Sequence, residues 1–482
     1  MKLIYPLLAL IITFLGCNSK KNNKVEDYTS EKPNIIFYLS DDQDQQDYGC
    51  YGNEKVNTFA VDELASEGMR FNNAFTSMAM CAPSRSSLYT GKYPLKHGVY
   101  ANHLPSKPDL KSITHHLGEL DYEVVLVGKS HVGPDNVYDW DARMPGVESD
   151  SGPRKYVPFD KLENYLKTSE KPFCMFIASE YPHGPYFEAD NKGDENYEMR
   201  PIYSFSQERI ISQPGHNYAG YDRSIEENQK QLQRVVNLVD DTHSENTLFI
   251  YSSDHGITGK FTVYDRGLKV PFVVRWPGVI DPGTTNNQLV SYVDILPTFI
   301  EIAGGDPDAG NFDGKSMFPL LVGKDKPIHK YVYGVSTRQN IRHGYVFPAR
   351  SIRSQDYKYI INFNAQEVVD QNLTGNKNID RFIKRGAAHF EYVPYEELYN
   401  IKEDPYELNN LAENDDYDSI KSQLRDSLFE WMNEQGDFLA EEDRMPLLKP
   451  TLHPLDEKSK WNNLPDSLEN TLDEEDYYEA HY

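Results

Sequence analysis

The sequence predicts a large α/β domain, built on a doubly wound, mixed but mostly parallel sheet flanked by helices, and a smaller C-terminal α+β domain with an antiparallel sheet. Three observations carry this. Near-continuous apolar runs recur along the first part of the chain, amphipathic helical patterns lie between them, and the texture changes near residue 330.

The chain opens with "MKLIYPLLALIITFLGC": one early Lys, an apolar run, then Gly16-Cys17. The run is short for a spanning helix and reads as a signal peptide. Leu15-Gly16-Cys17 resembles a bacterial lipobox, with Phe14 where that motif usually carries Leu. The resemblance implies a lipoprotein signal over 1–17, lipidation of Cys17 and a membrane anchor. Residues 18–32 are polar and rich in Lys and Asn, a tether. The expected location is the periplasm, with display at the cell surface as the other arrangement.

The α/β domain is expected over 33–330. Its strands are "NIIFYLS" (34–40), "YEVVLVG" (122–128), "FCMFIAS" (173–179), "TLFIYSS" (247–253) and "PFVVRW" (271–276). Continuous apolar character, without alternation, is the mark of strands buried on both faces. "TFAVDELASEGMRF" is amphipathic with a stop signal at Gly68, and "SIEENQKQLQRVVNLVDDT" places Ile225, Leu232, Val236 and Val239 on one helical face. From 331 to 482 the runs "YVYGVST", "ARSIRSQDYKYIINF" and "YEELYNI" alternate as antiparallel strands do, "DSIKSQLRDSLFEWMNEQ" is helical, and the acidic end reads as a tail.

Composition narrows the function. A formal net charge of −26 repels a polyanion, so nucleic-acid binding is set aside. The 4 cysteines, Cys17, Cys50, Cys81 and Cys174, make no disulfide framework, and Cys174 sits in an apolar run as a small core residue.

The chemistry collects where the predicted strands end. Asp41 and Asp42 follow the first, Lys129 and His131 the second, His183 the third, and Asp254, His255 and Lys260 the fourth. Ligands of open α/β sheets sit at the carboxyl ends of strands, so these side chains are expected in one crevice. Asp41, Asp42 and Asp254 would repel one another without a cation. Hard oxygen ligands favour Ca2+ or Mg2+, and His255 adds a nitrogen. Lysines and an arginine beside a cation make sense if an anion also binds; a tetrahedral oxyanion between them is the layout of phosphoryl or sulfuryl transfer. Pro83 suits the first turn of a helix, which places Cys81 just before that helix, facing the crevice.

"CAPSRSSLYTG" (81–91) resembles the signature of the type I, formylglycine-dependent sulfatases of the alkaline phosphatase superfamily, Cys-x-Pro-Ser-Arg-x-x-x-x-Thr-Gly. "LSDDQ", "GKSHVGP", "YPHGP", "SDHG" and "EELYNIKEDPYELNNLA" resemble further segments of that family, in order. The resemblance implies sulfate ester hydrolysis. It implies oxidation of Cys81 to formylglycine (3-oxoalanine) by a formylglycine-generating enzyme. The hydrated aldehyde then carries two hydroxyls, one to attack sulfur and one to expel sulfate. By motif position it also implies Ca2+ held by Asp41, Asp42, residue 81, Asp254 and His255, the last standing where many relatives carry Asn. Arg85 stabilises the hydrate, Lys129 and Lys260 hold sulfate oxygens, His131 is the base and His183 the acid.

Within the family, "GKSHVGPDNVYDWD" and "ARSIRSQDYKYIINFN" are similar to the N-sulfoglucosamine sulfohydrolase group, whose bacterial members also act on O-sulfated algal polysaccharides. Lys260 stands where the human-type N-sulfatase carries Arg. The expected substrate is a sulfated polysaccharide or its oligosaccharides, of algal type such as ulvan. Sugar-subsite candidates are His103, His115, His116, Arg338, His343 and Arg353. The alternatives are an N-sulfoglucosamine sulfamidase, a phosphodiesterase or phosphonate hydrolase of the same superfamily, and a non-catalytic lipoprotein that captures sulfated glycans.

Overall fold

Strands of the main sheet, in chain order, are β1 (Asn34–Ser40), β2 (Met69–Phe71), β3 (Glu123–Gly128), β4 (Ala142–Met144), β5 (Phe173–Ala178), β6 (Thr247–Ser253), β7 (Phe272–Arg275) and β8 (Thr284–Asn286). They lie in the spatial order β8-β2-β7-β6-β1-β5-β3-β4. The block from β6 to β4 is parallel throughout, and β7 runs antiparallel to both its neighbours. This is a computed structural model. It describes residues 32–149, 152–187, 220–324, 326–338, 346–363 and 394–440, the side chains of 338, 346 and 347 excepted. The signal peptide, Cys17, the tether as far as residue 31, His343 and the acidic tail lie outside the described residues. Among the described residues no helix is long and apolar enough to cross a membrane.

The apolar runs are continuous because both faces of the sheet are covered. Side chains alternate along a strand. On β1, Ile35, Phe37 and Leu39 enter one core, and Ile36 and Tyr38 enter the other. Three helices matter here: α1 (Phe59–Glu67), α2 (Cys81–Thr90) and α3 (Tyr221–His243). Helix α2 brings Leu88 and Tyr89 to the first core, beside Leu296 and Phe299 of the helix Ile295–Ile302. Helices α1 and α3 cover the second core with Val61 and Leu64, and with Leu232, Val235, Val236 and Val239. Each of these fully buried aliphatic side chains contributes roughly 1.5–3 kcal/mol relative to exposure.

The C-terminal part is a four-stranded antiparallel sheet in the order β9-β10-β11-β12, namely Val332–Arg338, Val346–Arg353, Tyr357–Asn362 and Glu396–Asn400. Helix α4 (Asp418–Gln435) packs Leu424, Leu428, Trp431 and Met432 against Ile352, Tyr359, Ile361 and Leu398 of that sheet. Arg350 is fully buried and forks onto Asp437, with Nη2 3.0 Å from Oδ1. A second buried group of charges ties the C-terminal sheet to the segment between β6 and β7. Asp265 accepts from Arg353 Nε at 3.0 Å and from Lys358 Nζ at 2.8 Å, while Lys358 lies 2.6 Å from Glu407.

Helix α2 differs from the expectation in one respect: Cys81 is its first residue, with Met80 as the cap, rather than a residue before it. Pro83 still falls in the first turn, where no backbone N–H is needed. The helix ends at Gly91, whose φ of 65° is left-handed. Next to it, His97 is fully buried; its Nδ1 accepts from Val99 N at 3.1 Å, so Nε2 carries the proton and faces Ser87 Oγ at 2.9 Å. Burial, then Lys107 and Lys92, push its pKa down to about 3. The folded value lies below the unfolded one, about 6.5. His97 therefore contributes stability above pH about 6.5, lost at about 1.4 kcal/mol per pH unit as pH falls toward 3. His97→Asn should show a shallower acid loss in urea titrations across that window, and an unchanged slope would refute the assignment.

Candidate active site

The strands that carry the candidate residues are adjacent in the order β6-β1-β5-β3, all parallel, so their carboxyl ends form one edge. Asp41 and Asp42 leave β1, Lys129 and His131 leave β3, His183 follows β5, and Asp254 and His255 leave β6. Backbone bonds hold these ends together: Asp41 N donates to Tyr181 O at 3.0 Å, Gln43 N to His255 O at 3.1 Å, and Lys129 N to Ala178 O at 2.9 Å. Gly128 turns the chain with φ 84°, and a Cβ there would lie 2.2 Å from Ala178 O. The turn therefore needs glycine twice over, for conformation and for space. Asp42 and His131 hold φ values of 60° and 57°, costly backbone for non-glycine residues.

Helix α2 aims Cys81 and Arg85 into this edge. The Cys81 Sγ lies 3.4 Å from His255 Nε2, 3.7 Å from Asp41 Oδ1 and 3.8 Å from Asp42 Oδ1. Arg85, fully buried, donates to Asp254 Oδ2 through Nη2 at 3.0 Å and Nε at 3.3 Å, and its Nη2 lies 3.7 Å from Asp41 Oδ1. Lys129 pairs with Asp41, and Lys260 Nζ donates to Asp42 Oδ2 at 2.7 Å. The lysines, expected on sulfate oxygens, thus bond to the carboxylates here. His183 Nε2 lies 3.4 Å and His255 Nε2 3.1 Å from Asp42.

The charges set the protonation states. Burial pushes Asp41 and Asp42 up, but the surrounding groups together hold both low: Lys129, His183 and Arg85 at Asp41, and Lys260, His183 and His255 at Asp42. Asp254 is raised by burial and by the Asp41 carboxylate, with His255 and Arg85 opposing. Burial keeps the Cys81 thiol well above its ordinary value despite both lysines, so as a plain cysteine it is no ready nucleophile. Burial and the neighbouring Lys129 and Arg85 push His131 down to about 2; burial takes His183 down to about 4 against the pull of Asp42 and Asp41.

The carboxylates of Asp41, Asp42 and Asp254 suit a hard divalent cation, and the Cys81 thiol and the imidazoles are softer donors beside them. Ligand atoms of Asp41, Asp42, Cys81 and His183 lie within 4.8 Å of one another, as do those of Cys81, Asp254 and His255. His255 Nδ1 faces Gly256 O at 3.1 Å, the arrangement in which Nδ1 carries the proton and Nε2 is free to ligate.

Of the sugar-subsite candidates, His103 joins the site: its Nδ1 lies 3.4 Å from His131 Nε2. The others have different contacts. His115 closes a capping box with Ser112, His116 packs edge-on to Phe312, and Arg353 is held by Asp265. Only the backbone of Arg338, in β9, is described. Sequence reasoning missed two residues. Asp44 accepts from Thr258 N at 3.1 Å, from Thr258 Oγ1 at 2.5 Å and from Arg266 Nη2 at 3.2 Å, and so pins the turn that carries Lys260. Arg154 donates to His183. Both sit in loops without periodicity; Asp44 reads locally as a turn cap, which it also is.

A family model described as Sulfatase matches residues 33–305, and one described as N-sulphoglucosamine sulphohydrolase, C-terminal, matches 253–376. An ulvan-active sulfatase of Formosa agariphila is 51% identical over 96% of this chain and 95% of its own length. The human N-sulphoglucosamine sulphohydrolase is 25% identical over 84% of this chain and 90% of its own. A solved 2-O GAG sulfatase superposes with a TM-score of 0.65 at 23% identity, covering 84% of this chain and 93% of that one. Sequence, fold and the gathering of the signature residues at one sheet edge agree: the chain belongs to the sulfatase family and is a sulfuric ester hydrolase.

Proposed function

We propose that this chain removes sulfate esters from a sulfated polysaccharide, or its oligosaccharides, of the ulvan type. The observation that carries the substrate reading is the 51% identity to the Formosa agariphila enzyme over nearly the whole of both chains. Family membership implies formylglycine and a divalent metal. Here residue 81 is the modified position, and Asp41, Asp42, residue 81, Asp254 and His255 would hold the ion, with Ca2+ preferred to Mg2+ for this many oxygen donors. When bound, the ion polarises sulfate oxygens and offsets the clustered carboxylates.

The remaining residues do the binding and the proton transfers. Lys129 and Lys260 lie on Asp41 and Asp42, and with a cation held by those carboxylates their ammonium groups would be available to sulfate oxygens. Arg85, locked on Asp254, would stabilise the formylglycine hydrate at position 81. His131 is the base assigned to residue 81; burial, Lys129 and Arg85 keep it neutral and weaken it as a base, and an anionic sulfate beside it would restore part of its basicity. His183 delivers a proton to the departing sugar oxygen, and an anionic sulfate beside it raises its affinity for that proton. Export, lipidation of Cys17, maturation by a formylglycine-generating enzyme and display toward polymeric substrate complete the reading.

The test is sulfate release by the matured protein from ulvan, carrageenan, fucoidan and heparin-type substrates, intact and pre-digested. Release from ulvan or its oligosaccharides is expected. Release confined to N-sulfated glucosamine would replace this reading with a sulfamidase that tolerates Lys260.

A further inference from the structure

Two histidines of the site share a local geometry and differ in one neighbour. Each is followed by glycine, and each presents Nδ1 to the carbonyl of that glycine: His255 to Gly256 O at 3.1 Å, His183 to Gly184 O at 2.7 Å. Left to that carbonyl, either ring would carry its proton on Nδ1 and expose a bare Nε2. That is the form that ligates a cation, and both Nε2 atoms face the carboxylates. His183 has a further partner. Arg154 Nη2 lies 2.6 Å from His183 Nδ1, and Arg154 Nε donates to His183 O at 3.2 Å. The backbone of Arg154 is fixed in turn by Tyr181, with Arg154 N to Tyr181 Oη at 3.3 Å and Tyr181 Oη to Arg154 O at 3.2 Å. Among the described residues no carboxylate pairs with this guanidinium.

A guanidinium has only donors and does not give up a proton, so it demands a lone pair on Nδ1, the opposite of what Gly184 O demands. The charge-assisted bond is the stronger of the two. We propose that Arg154 is a positioning residue that settles His183 as the Nε2–H tautomer, making it a proton donor to the leaving oxygen rather than one more metal ligand. The same ring without such an arginine, His255, is left to ligate. This rests on the reading of His183 as the acid.

Two measurements test it. Nitrogen-15 NMR of histidine-labelled enzyme, with the His183 signals identified by their loss in His183→Asn, should show Nδ1 bare and Nε2 protonated. Arg154→Ala should move the proton to Nδ1. A protonated Nδ1 in the parent enzyme overturns the proposal without any kinetics. In turnover, Arg154→Ala and His183→Ala are each compared on the sugar sulfate and on 4-nitrophenyl sulfate, whose phenolate leaves without a proton. Arg154→Ala should lower kcat on the sugar substrate on the order of 10²-fold and affect the aryl sulfate far less. Equal losses on both would reduce Arg154 to a structural role. If His183→Ala shows the leaving-group dependence and Arg154→Ala does not, the inference fails and the acid survives. If His183→Ala shows none, the acid assignment itself fails.

Discussion

Cys81→Ser is expected to fold as the parent does and to lose steady-state sulfate release by on the order of 10³-fold or more. Cys81 is buried at the first turn of α2, where serine is well tolerated, and the exchange removes little volume, so the stability change should stay within about 1 kcal/mol. The loss is chemical. A serine has one hydroxyl; after it takes sulfate, nothing on the same carbon can expel the group, and the buried site offers a poor path for water. Mass spectrometry should find sulfate retained on residue 81 while steady-state release vanishes. Repeated turnover within tenfold of the parent would remove residue 81 from the role assigned to it.

Arg85→Ala has the largest expected effect on stability. Arg85 is fully buried against Asp254 and Asp41, and its removal takes the guanidinium from Asp254, also fully buried, which keeps backbone N–H bonds from Asp42 at 3.0 Å and His255 at 2.9 Å and has His255 Nε2 3.8 Å away. Breaking a buried pair from one side costs about 3–5 kcal/mol. A divalent cation bound among the same carboxylates would offset part of that. Denaturation of the variant should therefore show the full loss in chelator and a smaller one with Ca2+ in excess. The same deficit under both conditions would place the cation elsewhere. Activity should fall as well, since Arg85 orients the residues around position 81.

How much of this was legible in the sequence follows burial. β1, β3, β5, β6 and β7 are covered on both faces, which forces continuous apolar runs, and each was readable to within a residue or two. β2, β4 and β8 have three residues each, too few to show a period, and were not. That the candidate residues would gather at one edge was readable because parallel strands bring their carboxyl ends together by topology, so position along the chain stood in for position in space. Arg154 and Asp44 had no such proxy; they reach the site from loops whose placement is tertiary. The reverse happened at His115, His116 and Arg353, where side chains that read as polar and available are engaged in a cap, an aromatic contact and an ion pair.

The charges that tie the C-terminal sheet to the segment between β6 and β7 bear on how such a protein can be recombined. Asp265 lies just beyond the turn that carries Asp254, His255 and Lys260, and its partners Arg353 and Lys358 come from the C-terminal sheet, with Glu407 bonded to Lys358 and to Asp265 N at 2.7 Å. A C-terminal segment transplanted from a relative at residue 330 would arrive with buried charges cut from a partner left behind. A hybrid that takes residues 253 onward as one piece keeps Asp265, Arg353, Lys358 and Glu407 together and carries Asp254 with it, but parts Asp254 from Arg85, Lys260 from Asp42 and Arg266 from Asp44. Seams at 253 and at 330 both sever buried pairs, so the inheritance of the C-terminal sheet is tied to that of the catalytic turn, and the turn's to β1 and α2.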